Sequence, residues 1–285
     1  MLIVNWNTRD LLKSCLASIE KFPPDCPYEV IVVDNASSDD SAAMVKECFP
    51  WVKLLESGSN LGYAAGNNLA FKNANGDFLL TLNPDTEFED DSLSASLRAL
   101  NDKVKYGVLG LRLVGPDKKT QNSVRGFPTL LGVLGAMTKL DRVFPSSVWG
   151  SYSLPCFDYT QDGPAPQPMG TFLLFRTTAL RTVCDPKKPF DEQFPIFFNE
   201  VDLLYRMHEG GWPCLYVAGC HVLHHHGAST RQVKKSMIWE SHRSLVRYFR
   251  KHLKGAKRIF LPLVAVAAWI AALVRAKGYH AGFRA

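Results

Sequence analysis

The stretch FLLTLNPDTEF, residues 78–88, decides how this chain is read. Its apolar run, Phe78-Leu79-Leu80-Thr81-Leu82, has the length and composition of a buried strand. The run stops at Asn83-Pro84-Asp85. Proline lacks the N–H that a central strand donates and fixes φ, so the strand cannot continue through it. A carboxylate, Asp85, therefore stands just past the end of a core strand, placed to hold something.

The pattern recurs upstream. Residues 2–4 are a short apolar strand ending in Asn5-Trp6-Asn7-Thr8. Residues 9–20 carry Leu11, Leu12, Cys15, Leu16 and Ile19 at helical spacing, with Thr8 as the expected N-cap. Residues 30–33 form a strand that ends at Asp34-Asn35. Ser38 or Asp39 then caps a helix to Cys48. Residues 52–55 are a third strand, 57–62 a turn and 64–73 a helix. Strands separated by helices of this length make a parallel sheet with right-handed crossovers. Ligands bind such sheets beyond the carboxyl ends of the strands. Asn5, Asp34 and Asp85 converge on that rim.

Further on, residues 107–114 predict a strand. Residues 115–168 are rich in Pro, Gly and Ser without a sustained period, and read as a long excursion over the ligand-binding face, not a separate domain. Residues 171–175 form a short strand after Gly170, residues 199–209 a helix, and residues 214–217 a strand leading to His221. There is no internal repeat.

Composition fits a globular protein: of 285 residues, 46% are hydrophobic and 21% charged. Seven scattered cysteines without a C-x-x-C argue against a disulfide scaffold or zinc ribbon and for a reducing compartment. Met1 leads straight into Leu-Ile-Val-Asn, with no signal-peptide pattern. There is no G-x-x-x-x-G-K-[ST] loop and no G-x-G-x-x-G after the first strand, which excludes the P-loop and dinucleotide-binding classes. The segment GSNLGYAAG reads as a turn whose glycines let backbone approach a ligand, or as an ordinary strand-to-helix turn.

Six motifs, in order, resemble family 2 glycosyltransferases, most closely the rhamnosyltransferase branch. They are IVNWNTRDLLKSCLASI, EVIVVDNASSDDSAAMV, NLGYAAGNN, LLTLNPDTEF, FNEVDLLYRMHEGGW and HVLHHHGAS. The resemblance runs from Leu2 to about Thr230 and is weakest over 115–168. It is specific for the superfamily and much less so for the sugar. It implies an α/β fold: a single A-type glycosyltransferase domain, residues 1–230, with a mostly parallel Rossmann-like sheet. It also implies a nucleotide-diphosphate sugar donor and a divalent cation, Mg²⁺ or Mn²⁺.

The resemblance assigns roles residue by residue. Asn83-Pro84-Asp85 stands where the family's metal-binding Asp-x-Asp usually stands, so Asp85 alone supplies its carboxylate. A hard cation prefers such oxygen ligands. Asp34 and Asn35 match the nucleotide-recognition position. Asn60, Gly62 and Asn67 match the loop lining the nucleoside, and Asn5, Asn7 and Asn83 match polar strand ends beside it. Gly170 and Thr171 match the turn bordering donor sugar and acceptor. In FFNEVDLLYR, Asn199 replaces the usual first acid and Glu200 fills the position of the catalytic base, usually Asp. Asp202 is expected to hold the acceptor or cap the helix start. His224 best matches the family's histidine near metal and diphosphate; His225 is the alternative, because His226 stands where a Gly is usual. The first strand is shorter than in the family. A protein of the same fold that binds nucleotide-sugar or carbohydrate without catalysis is the alternative function, favoured by Asn at positions 83 and 199.

The tail is a different kind of object. Residues 1–230 carry 20 Lys/Arg against 26 Asp/Glu, whereas residues 231–285 carry 13 Lys/Arg and one acid, Glu240. Ile238, His242, Leu245, Phe249 and Leu253 form an apolar stripe at helical spacing among basic residues. Residues 259–274 follow, sixteen without a charge. Sixteen is below the roughly 20 that span a bilayer. A basic amphipathic helix with a short apolar one reads as attachment to an anionic leaflet, and its rival reading is a packing or oligomer helix. The expectation is a cytoplasmic enzyme, peripheral on the inner membrane face, acting on a glycan or lipid-linked acceptor. No aromatic–basic strand motif supports a nucleic-acid partner.

Overall fold

Alternation along each strand gives the sheet two apolar faces, and each face takes its own helices. The computed structural model describes residues 1–225 and 234–280. In chain order it contains β1 (Leu2–Asn5), α1 (Arg9–Lys21), β2 (Ile31–Asp34), α2 (Ser41–Cys48), β3 (Lys53–Glu56), α3 (Gly62–Lys72), β4 (Phe78–Leu82), β5 (Thr86–Glu87), α4 (Ser92–Asp102) and β6 (Val108–Val114). There follow β7 (Val124–Arg125), α5 (Leu130–Thr138), α6 (Leu140–Val143), β8 (Gly163–Pro164), β9 (Gln167–Pro168), β10 (Phe172–Arg176), α7 (Thr177–Val183), α8 (Asn199–Glu209), β11 (Cys214–His224), α9 (Lys234–His252) and α10 (Leu261–His280).

Ile3, Val32, Leu80, Leu82, Leu109, Leu111, Phe172 and Leu174 point to one side of the sheet, where α1, α2 and α4 bury Leu12, Leu16, Ile19, Met44, Val45, Leu93 and Leu100. Their strand neighbours Leu2, Val4, Ile31, Val33, Leu79, Val108, Leu173 and Phe175 point to the other, against Ala64, Phe71, Leu180, Leu203, Leu204 and Met207. The result is a three-layer α/β/α body. The sheet order is β3-β2-β1-β4-β10-β6-β11-β5, with β8 on β11. β1, β2, β3 and β4 are parallel, as the sequence predicts, and β6 is parallel to β11. β10 runs antiparallel between β4 and β6, with Leu174 opposite Leu80 and Leu109.

Several local expectations change. Thr8 makes no side-chain cap; its hydroxyl donates instead to Asn5 Oδ1 at 2.6 Å. The cap of α2 is Asp40, at φ +61°, not Ser38 or Asp39, and Asp39 accepts from the Arg9 and Ser41 amides. Gly62 opens α3 at φ +80°, and Gly66 lies within that helix, where a Cβ would meet Val4 Cγ1 at 2.8 Å. The second glycine therefore serves the packing of α3 on β1, not a ligand. The 115–168 excursion holds β7, α5, α6, β8 and β9. β11 continues past Val217 to His224 through a bulge. All seven cysteines are free.

The tail is not detached from the body. Tyr248 and Phe249 of α9 bury against Phe194 and Val201, with Leu261 and Val264 of α10 joining them. After a 3-10 turn, Gly255–Phe260, α10 places Pro262 in its first turn, where a missing N–H costs nothing. The stretch Gly255–Lys277 is long and apolar enough to cross a membrane by length and composition. The charge-free run of sixteen residues understated it, because the helix extends past its charged flank.

Candidate active site

The rim of the sheet opens into a cleft of about 380 Å³. Nine of the residues singled out in the sequence line it: Asn35, Asn60, Gly62, Asn83, Asp85, Gly170, Thr171, Glu200 and His224. Val4, Trp6, Tyr63, Pro84, Met169, Ile196, Phe197 and Asn199 complete the wall.

Asp85 and His224 meet because β5 pairs antiparallel with the end of β11. Thr86 stands opposite His224, and His225 N–H donates to the Asp85 carbonyl at 2.9 Å. Asp85 Oδ2 lies 3.7 Å from His224 Nε2, and Asp85 Oδ1 is buried with no hydrogen-bond partner. Gln121 fixes the ring. Its Nε2 donates to the His224 carbonyl at 3.0 Å, so its Oε1, 2.8 Å from His224 Nδ1, must accept. Nδ1 then carries the proton and Nε2 a lone pair facing the carboxylate. A buried carboxylate and an imidazole lone pair held side by side form a donor set that fits a divalent cation. No cluster of three or more His, Cys, Asp or Glu among the described residues could hold a metal alone, so the remaining ligands must come from elsewhere. His225 pairs with Glu87 at 2.7 Å and His221 sits near Glu89 and Asp90. His226 lies outside the described residues.

Glu200 begins α8 and enters the cleft beside Gly170, where a Cβ would stand 3.3–3.6 Å from its side chain. Enclosure by the cleft pushes its carboxyl up to about 7, against two backbone amides that favour the charged form. Tyr63 donates to Asn83 Oδ1 at 3.1 Å and to the Gly170 carbonyl at 3.3 Å. Burial raises its hydroxyl, and the negative charges of Glu200 and Asp85 both raise it further. One phenol thus lies within electrostatic reach of both cleft carboxylates. The Asn199 side chain is fully buried on the cleft wall with neither polar atom paired.

The wall formed by Asn35, Asn60 and Gly62 is braced from behind. Asn35 donates to the Gly62 carbonyl at 3.0 Å, Asn60 accepts from Gly62 N–H at 2.9 Å, and Asn67 donates to the Tyr63 carbonyl. The Pro195 carbonyl accepts from the Tyr63 and Ala64 amides, tying the start of α3 to the segment leading into α8. Asn5, Asn7, Asp34 and Asn67 are not on the cleft wall. Asn5 donates to Asp34 Oδ1 and Ser37 Oγ, Asp34 Oδ2 accepts from Ser37 N–H, and Asn7 accepts from Ser38 N–H.

Asp202 is also placed away from the cleft. Fully buried, it receives Arg206 at 2.9 Å, Lys251 at 2.7 Å and His252 at 2.8 Å. Burial alone would raise its carboxyl; the hydrogen bond from His252 and the charges of Arg206 and Lys251 outweigh it and hold it at about 2. It neither reaches an acceptor nor caps α8: it fastens α9 to the helix that carries Glu200. Tyr63 and Gln121 escaped the sequence reading of the site. Tyr63 lies inside a quoted motif, but Gln121 sits in the aperiodic excursion with no local signal.

Residues 1–181 match the sequence pattern of glycosyl transferase family 2. The chain is 28% identical over 250 residues to the N-acetylglucosaminyl-diphospho-decaprenol L-rhamnosyltransferase of Mycobacterium tuberculosis, covering 82% of this chain and 78% of that one. It is 25% identical over 263 residues to rhamnosyltransferase WbbL of Escherichia coli K12, covering 88% and 92%. Among solved structures it is similar to the mannosyltransferase PcManGT of Pyrobaculum calidifontis in complex with GDP-Man and Mn²⁺. The TM-score is 0.58 at 17% identity, over 99% of this chain and 75% of that one. Staphylococcus aureus TarS 1-349 gives 0.55 at 16%, over 95% and 79%. These neighbours share the A-type glycosyltransferase fold. The family pattern takes in the strand ends, the Asn83-Pro84-Asp85 turn and the Gly170-Thr171 turn that wall the cleft, and the chain belongs to glycosyl transferase family 2.

Proposed function

We propose that this glycosyltransferase moves rhamnose, from dTDP-rhamnose, to a hydroxyl of a glycan or lipid-linked acceptor in cell-surface polysaccharide synthesis, with inversion. The observation that carries the reading is that Glu200 opens into the same cleft as the Asp85–His224 pair. One carboxyl is poised near neutrality to take a proton, and the other lies 3.7 Å from the His224 ring Nε2. Glu200 accepts the proton of the acceptor hydroxyl as its oxygen attacks the anomeric carbon. The bond from that carbon to the diphosphate breaks on the opposite face, which inverts the centre. Asp85 and His224 would hold a divalent cation, Mg²⁺ or Mn²⁺, whose charge offsets that of the departing diphosphate. Asn35, Asn60 and Gly62 border the nucleoside; Gly170 and Thr171 border the sugar. The similarity to two rhamnosyltransferases favours the sugar, and the decaprenol-linked acceptor of the mycobacterial one favours a lipid-linked substrate.

The tail supports a membrane-surface location on the cytoplasmic side. α10 packs Ala268, Ala272 and Ala276 inward and leaves Leu263, Val266, Trp269 and Ile270 exposed, the reverse of a soluble surface helix. Residues 231–285 hold the basic excess that an anionic leaflet attracts. The test is a screen of purified protein with Mn²⁺ against nucleotide-sugars. It reads thermal shift and release of nucleoside diphosphate with and without polyprenyl-linked N-acetylglucosamine. Stabilisation without any release, across all donors, would leave a binding protein instead.

A further inference from the structure

The excursion that carries no family motif turns a second apolar face outward. On α5, Leu131, Leu134 and Met137 stand on one side and are 47%, 45% and 49% exposed. Val143, Phe144 and Val148 continue that exposure around α6. Single exposed apolar residues are ordinary, but six within eighteen positions are not. On the adjoining flank of α5, Leu130 and Val133 pack against the cluster formed by Phe194, Val201, Tyr248 and Phe249. Leu261 and Val264 at the start of α10 enter the same cluster. Two helices that turn inward on one cluster present their outer faces beside each other. The outer face of α10 is also apolar, with Phe260, Leu263 and Val266 exposed.

The segment is a built element. A Cβ at Gly126 would stand 1.8 Å from the Ser151 carbonyl, and one at Gly135 would stand 2.3 Å from the Trp149 carbonyl. Both contacts press α5 and its approach against residues 149–151. The approach to α5 also meets the helix that carries Glu200: the Phe127 ring lies 5.2 Å from the Tyr205 ring, and Val133 packs in the cluster that holds Val201. The apolar face is thus tied to α8 beside the cleft.

Charge selects the occupant. Residues 126–157 contain Lys139 and Arg142, both exposed, and one acid, Asp141, which is buried. Residues 241–280 contain no acid, and Lys254, Lys257 and Arg258 are exposed at the junction with α10. Two copies of such a face would set like charges against each other. An anionic bilayer offers apolar depth for the leucines and counter-charge for the rim. We infer that α5–α6 and the start of α10 form one surface that seats on an anionic lipid bilayer, with α5–α6 entering the interface beside the catalytic cleft. This rests on the membrane location proposed above and adds a second contact. The tail by itself would tether the enzyme at any angle. Two separated apolar contacts fix its orientation, which holds Glu200 towards hydroxyls that stand just above the headgroups.

The experiment uses the full chain and phosphatidylcholine vesicles with and without about three-tenths phosphatidylglycerol at low salt. Wild type is compared with Leu134→Glu/Phe144→Glu and with Leu263→Glu/Ile270→Glu, all at exposed positions. Both pairs should lower partition into the anionic vesicles by about tenfold or more. Donor hydrolysis in solution should stay unchanged. Hydrogen exchange of wild type should slow over residues 130–148 when the vesicles are added. If wild type binds, the α10 pair weakens it and the α5–α6 pair does not, the second contact is wrong while the tail reading stands. If wild type does not bind at all, both fall. If the α5–α6 pair instead abolishes self-association seen by light scattering, the face is an interface between copies and the inference is overturned.

Discussion

Gln121 grips His224 at both ends, donating to its carbonyl at 3.0 Å and accepting from its ring Nδ1 at 2.8 Å. The backbone contact settles which way the amide points, and the amide then settles which ring nitrogen faces Asp85. A residue from an aperiodic loop therefore sets the tautomer of a proposed metal ligand.

Replacing Gln121 by Leu frees the ring to turn and to move its proton. The Mn²⁺ concentration for half-maximal activity should rise 10–100-fold, the usual scale for loss of a partner behind a metal ligand. Thermal-shift binding of the free nucleoside should not change. An unaltered Mn²⁺ titration would remove His224 from the metal site.

Asp85→Ala should abolish transfer and weaken nucleotide-diphosphate binding while sparing the nucleoside, because its buried Oδ1, without a hydrogen-bond partner, is placed to hold the cation that would offset the diphosphate charge. Isothermal titration with the diphosphate and with the nucleoside compares the two. Full activity of this variant, or of wild type in excess EDTA, contradicts the assignment.

Glu200→Gln should cut turnover about 10²-fold or more with donor affinity nearly intact. As the base must be ionised, kcat/KM of wild type should rise with pH through about 7. The sign for stability is opposite. A carboxyl raised from 4.5 stabilises the fold while protonated, and that contribution fades as pH rises through its folded value. The glutamine variant should therefore gain in melting temperature over wild type as pH rises from 4.5 to about 7, with no gain below 4.5. A flat pH–rate profile would move the base elsewhere.

Asp202→Asn should act on stability more than on chemistry. It leaves Arg206, Lys251 and His252 around a buried neutral amide, a loss of about 3–5 kcal/mol by the usual cost of breaking a buried ion pair. In wild type, with the carboxyl depressed from 3.8 to about 2, the contribution is present above the higher value and lost as pH falls towards the lower. Urea melts at neutral pH measure the first effect and acid titration the second. A larger fall in kcat than that of Glu200→Gln, with unchanged stability, would make Asp202 the base.

Gly62→Ala should destabilise by about 1–2 kcal/mol from the left-handed backbone alone. The added methyl would also press on the Pro195 carbonyl at 2.9 Å. Because that carbonyl joins the start of α3 to the approach to α8, donor KM should rise as well. A variant with wild-type melting and KM would show that the turn relaxes without cost.

The sequence determined what local pattern can encode. Phe78–Leu82 ends where Pro84 forbids continuation, and Asn199–Glu209 starts and stops where its periodicity says. The alternation of the first strands fixed their parallel order and the rim on which Asp85 stands. Nine cleft residues were legible because each sits at a strand end or within a short motif. What stayed hidden depends on contacts between distant residues. The pairing of β5 with β11 brings Asp85 to His224 across 139 positions, and no local preference records that register. The antiparallel direction of β10 is set by its place between β4 and β6, which its own five residues, four of them apolar, cannot specify. Asp202 has the sequence signature of a catalytic acid. Only the packing of α9, which brings Lys251 and His252 to a buried carboxylate some fifty residues away, makes it an anchor, because a charge enclosed with its partners cannot also meet a substrate.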